Sequence, residues 1–110
     1  MKWKYISEGG EKRIGGVNVY IKTHNSIEPL EHRERHSPTG FQFGYNGSGP
    51  SDLARSILID FFIRKDDVTI GEASLKAEDL YQKFKFDIIS KQNKTLKVTN
   101  EEIEEWLESI

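Results

Sequence analysis

The chain has 110 residues, 35% apolar and 31% charged, with no cysteine. That length predicts one domain over residues 1–110, and the composition supports a modest core. Zero cysteines exclude disulfides, thiolate nucleophiles and cysteine-based metal sites. No apolar run reaches the ~18–20 residues of a membrane helix and no secretory leader is visible, so a soluble, cytoplasmic protein is expected. The formal net charge is −2, but five glutamates cluster between Asn100 and Ile110, leaving +3 on the first 99 residues. That balance is too mixed for a strong nucleic-acid footprint.

Met1–Ser7 alternates, with Trp3 and Tyr5 on one face, and predicts a short strand. Glu8-Gly9-Gly10-Glu11 is turn material. Val17–Lys22 alternates again, with Val17, Val19 and Ile21 inward, and the two strands pair most simply as an antiparallel hairpin. Gly15-Gly16 marks a bulge or a close backbone approach. His24–Gly40 reads as a long irregular loop with Pro29, Pro38 and a charged run from Glu31 to His36. Long loops in small domains usually carry function or mobility. Phe41, Phe43 and Tyr45 then predict a short strand with one aromatic face.

A helix is expected from about Pro50 to Arg64, with Ser48 or Gly49 as N-cap and Asp52 in the first turn. Its apolar rows, Leu53/Ile57/Phe61 and Ala54/Leu58/Phe62 with Ile59 beside them, are broad enough for the central helix of a core. A second helix is expected from Ser74 or Ala77 to Gln92, then a brief strand at Thr95–Thr99. Thr99-x-x-Glu102 is a capping box, and Ile103, Trp106, Leu107 and Ile110 give the last helix its stripe. Strands first and helices later predict an α+β fold: a small antiparallel sheet of two to four strands packed against about three helices.

The segment His36–Leu58 stands out. Its glycines at 40, 44, 47 and 49 precede a helix N-terminus, where free amides and the macrodipole can hold an anion. The spacing from Gly44 to Ser51 imitates a P-loop, but Pro50 stands where the lysine belongs, which argues against nucleotide hydrolysis. Ser48 is no nucleophile elbow, since Asn46 and Pro50 occupy the glycine positions. The ordinary reading is a tight turn with a helix cap. The ligand reading gathers His36, Tyr45, Gly47, Ser48 and Gly49 with Arg33, Arg35 and Arg55, whose planar forks suit phosphate.

The block His36-Ser37-Pro38-Thr39-Gly40-Phe41-Gln42-Phe43-Gly44-Tyr45-Asn46-Gly47-Ser48-Gly49-Pro50 resembles the signature of a family of small bacterial, archaeal and phage proteins with a domain of unknown function. Phe43 replaces that family's usual Trp, Asn46 a Gly, and Asp52 a Gln. The resemblance implies a mobile-element or phage setting and no activity, so no catalytic residue follows from it.

His32 and His36 lie four apart near several glutamates, but the prolines and dense charge favour a solvated loop, and no metal or other cofactor is expected. Trp3, Tyr5, Tyr20, Phe41, Phe43 and Tyr45 could form a stacking platform for nucleic acid, although strand aromatics are more often core. Two readings lead, with nucleic-acid binding the weakest third. The first is a non-enzymatic interaction or adaptor protein with a protein partner, recognising it through His24–Gly40 and Tyr45–Pro50. The second is a nucleotide- or phosphate-binding protein taking a small anionic ligand at the glycine-rich turn.

Overall fold

The computed structural model describes residues 1–7, 16–36 and 40–110. The expected turn at Glu8–Glu11, together with Gly15, Ser37, Pro38 and Thr39, lies outside the described residues. The sheet has strands β1 (Lys4–Ser7), β2 (Val19–Lys22), β3 (Ile27–Pro29) and β4 (Lys97–Thr99), in the order β3-β2-β1-β4 with every pair antiparallel. The helices are α1 (Ser48–Asp66), α2 (Ile70–Glu78), α3 (Tyr81–Asp87) and α4 (Asn100–Ser109), with one 3-10 turn at Ile89–Lys91. The fold is α+β. None of the described helices is long and apolar enough to cross a membrane.

Alternation decides which side of the sheet the core takes. Tyr5, Val19, Ile21 and Val98 are buried, and Trp3 and Val17 extend the same face beyond the strand ends. The apolar rows of α1 pack into this core, where Leu53, Ile57, Leu58, Ile59 and Phe61 lose all exposure. A helix this evenly buried is central, with α2 and α3 beside it. Trp106 of α4 meets Phe84 of α3 at 5.0 Å between ring centres, and its indole N–H donates to Asp87 Oδ2 at 2.8 Å. The Thr99 capping box that starts α4 forms as expected.

A buried polar chain ties sheet to helix. The Trp3 indole N–H donates to the Tyr5 hydroxyl at 2.9 Å, and that hydroxyl donates to Asp60 Oδ2 at 2.7 Å. Arg64 Nε donates to the same oxygen at 2.8 Å, and the Arg64 guanidinium also pairs with Glu28 of β3. Burial, then the adjacent Asp60 charge, pushes the Tyr5 phenol far above its ordinary range.

Five expectations need correction. Part of the predicted loop is a strand: β3 pairs with β2 through a turn closed by Thr23 N–H to Ser26 O at 2.9 Å. All three of its residues are exposed, so no alternation reveals it, and Pro29 is compatible with an edge. Phe41–Tyr45 is not a strand. Phe41 makes one bridge to Val17, and Gly44, at φ +86°, turns its N–H to Ile89 O at 3.1 Å. Phe43 is consequently buried while Tyr45 is 39% exposed.

The first helix begins two residues earlier than expected, and its N-cap is Gly47, neither Ser48 nor Gly49. Asp52 is therefore beyond the first turn. The helix expected from Ser74 or Ala77 to Gln92 is three pieces. Leu80 N–H bonds Ala77 O at 3.0 Å, an i−3 closure that ends α2, yet Ala73, Ala77 and Tyr81 keep i,i+4 spacing and are all buried. Periodicity runs through the break, so it cannot show one. With α1 and α4, the described residues hold four α-helices.

Candidate functional site

The segment from Leu30 to His36 carries no strand or helix, yet it is held closely against α1. Two buried polar residues of α1, set among its apolar rows, do this. Asp52 and Ser56 are one turn apart and both fully buried. Buried polar groups require partners, and the loop supplies them. Asp52 accepts the His36 N–H at 2.8 Å, the Arg35 N–H at 3.2 Å to each oxygen, and His32 Nε2 at 2.9 Å. Ser56 Oγ accepts the Arg33 N–H at 3.0 Å. Thus three backbone amides of an irregular loop find acceptors on a helix, where a sheet neighbour would otherwise serve. The His32 ring also lies 4.7 Å from Phe41.

The side chains of this loop point to a second layer. Arg35 Nη1 reaches both oxygens of Glu78 on α2, at 2.6 and 2.7 Å. The hydrogen bond raises the Arg35 pKa and lowers that of Glu78. His36 Nε2 bonds the Tyr81 hydroxyl at 2.8 Å with the two rings stacked. Arg33 pairs with Glu31 at 2.9 Å. Arg55 Nη1 donates to Arg33 O at 3.4 Å, while its Nε is buried without a partner.

Of the residues singled out from sequence, Arg33, Arg35, His36 and Arg55 converge on this network. Tyr45, Gly47, Ser48 and Gly49 stand earlier, at the start of α1. Ser48 is exposed and Tyr45 lies against Gly47. Gly49 is buried against Gln42, so closely that a Cβ there would lie 2.4 Å from Gln42 Cγ. Ser51 Oγ donates to Gly47 O at 2.9 Å and to Gln82 Oε1 of α3 at 3.4 Å. The arginines expected to face an anion are engaged by Glu31, Glu78 and the Arg33 carbonyl.

Sequence reasoning missed Asp52 as the organiser, with Ser56, Glu78 and Tyr81 around it. The signal was present: an acid and a hydroxyl at i,i+4 set among the apolar rows Leu53/Ile57/Phe61 and Ala54/Leu58/Phe62. Of the aromatics weighed as a stacking platform, Trp3, Tyr5, Phe41 and Phe43 are core. No group of three or more potential metal ligands occurs among the described residues.

Fold and site together define a small α+β domain in which a buried carboxylate shapes a charged surface loop. The chain belongs to a family of unknown function, DUF6166, whose model matches residues 9–109. No curated protein and no solved structure matches it.

Proposed function

We propose that the protein is a non-enzymatic interaction module whose recognition surface is the segment from Glu31 to His36 with Tyr45 beside the start of α1. The observation that carries this reading is the anchoring of the loop by Asp52. A fully buried carboxylate is costly to desolvate. Here it serves to hold backbone of a segment that has no sheet partner, while Glu31, Glu34, Arg35 and His36 stay exposed. A surface loop held in one shape loses little entropy on binding, which is the physical advantage of preorganisation. The exposed charges are of both signs, which suits a polar protein surface better than a uniform polyanion. A mobile-element or phage setting, implied by the resemblance of His36–Pro50, belongs to the same reading.

The test uses the whole chain as bait, with a photo-crosslinking residue in place of Glu34 or, as control, of Glu108 on α4. A protein crosslinked from Glu34, absent from Glu108 and lost when Arg35 and Tyr45 are changed to Ala supports the reading. Identical capture from both positions, or capture unaffected by the double substitution, overturns it.

A further inference from the structure

The sheet has a second face, and its register builds a regular grid there. Ile27, Lys22, Lys4 and Thr99 stand side by side across the four strands, and Pro29, Tyr20, Ile6 and Lys97 form the next row. The residues between these rows face the helices: Tyr5, Ile21 and Val98 are buried, and Glu28 pairs with Arg64 of α1.

Beside Lys4 and Lys22 the chain forms a cleft of about 650 Å³, between the N-terminal segment, the turn after β2 and the start of α4. Trp3 and Asn100, both buried, are among the residues that line it. Asn100 sets that shape: its Oδ1 accepts the Trp3 N–H at 2.9 Å, and its Nδ2 donates to Met1 O at 3.1 Å. Lys2, Lys4, Lys22 and His24 line the walls, and Glu101 is the one carboxylate lining the cleft among the described residues. Glu101 approaches Lys2 no closer than 3.9 Å. Lys4 and Lys22 have no carboxylate partner among the described residues.

Like charges directly opposite on neighbouring strands, about 5 Å apart, repel and destabilise a sheet. The Lys4–Lys22 pair is such an arrangement, in a chain whose net charge is −2. An anion between the two ammonium groups converts repulsion into binding. The cleft is within the size range of small-molecule sites, roughly 300–1,000 Å³, and sets the exposed apolar side chain of Met1 beside the lysines. We propose that this cleft binds a nucleotide, with a phosphate between Lys4 and Lys22 and the base in the apolar part beside Met1. The ligand is a free nucleotide or the end of a single strand. For a strand, Tyr20 and Lys97 in the adjacent row offer the next stacking and phosphate contacts.

Calorimetry on the whole chain at low salt decides, with adenosine monophosphate, inorganic phosphate, a short oligothymidylate and polyglutamate as probes. The expected result is that the monophosphate or the oligonucleotide binds at least about ten-fold more tightly than phosphate or polyglutamate. Tighter binding of the oligonucleotide, with a log–log salt slope near about −2 for three neutralised phosphates, identifies a strand; otherwise the source is the free nucleotide. Lys22→Glu should weaken binding at least about ten-fold, Lys22→Arg should restore it, and Lys91→Glu should leave it unchanged. Lys22 is exposed, so these variants keep the fold. The proposal is overturned if neither nucleotide probe binds, if phosphate or polyglutamate binds equally well, or if Lys22→Glu binds like the parent.

Discussion

The carboxylate of Asp52 accepts the backbone N–H of His36 at 2.8 Å across sixteen residues of sequence, and Asp52 itself is fully buried. The same carboxylate receives the Arg35 N–H and the His32 ring, so one side chain determines the course of the loop. Asp52→Ala leaves two amides and an imidazole without their acceptor. A loss of about 3 kcal/mol or more is expected, read as a fall in Tm of roughly 10 °C or more. Asp52→Asn keeps an acceptor oxygen without the charge and should cost about half as much. Equal stability of Asp52→Ala and the parent would contradict the anchoring role.

Tyr5→Phe removes both an acceptor for Trp3 and a donor to Asp60. Denaturant unfolding should show a loss of about 1–3 kcal/mol. The raised Tyr5 pKa also has a sign. The folded phenol stays protonated above its ordinary value near 10, where the unfolded chain ionises, so this contribution is present below pH 10 and declines as pH rises beyond it. Ultraviolet titration should find the Tyr5 phenolate appearing only together with alkaline unfolding.

At low pH two carboxylates act in the opposite sense. Glu78 is held below its ordinary value of 4.5 by Arg35, and Asp87 below 3.8 by the Trp106 indole N–H and Lys83. Their contributions are present above those values and are lost as pH falls through the lowered ones. Both groups are solvated, so the effect is modest and salt-sensitive. Glu78→Gln should flatten the acid side of the Tm–pH curve, and added salt should weaken the difference from the parent.

Three glycines should respond differently to Ala. Gly16 has φ +85°, and a Cβ there would lie 2.8 Å from the Phe41 backbone N, so Gly16→Ala should cost about 2 kcal/mol or more. Gly49→Ala must displace Gln42 at its Cβ and Cγ, for about 1–3 kcal/mol. Gly47→Ala meets only the partly exposed Tyr45 ring, from an extended N-cap φ of −164° that any residue adopts, and should be nearly neutral. Thermal melts of the three variants should rank in that order.

Sequence alone determined the α+β class, the β1–β2 pairing, the apolar rows of α1 and the capped start of α4. Each rests on short-range physics: alternation at period 2, apolar rows at i,i+4, and a Thr99-to-Glu102 cap that closes within four residues. Only the tertiary structure revealed β3, the break between α2 and α3, and the partners of Asp52. An edge strand with three exposed residues has no pattern to read, and the apolar spacing from Ala73 to Tyr81 runs unbroken through the helix junction. Asp52 was legible as an acid but not as an anchor, because its partners are sixteen to twenty residues away and two of them are backbone amides, which no residue type advertises. The lysine-lined cleft is of the same kind. Lys4 and Lys22 are ordinary outward residues until pairing sets them opposite each other. Long-range register decides which charges meet, and that is a property of the folded sheet.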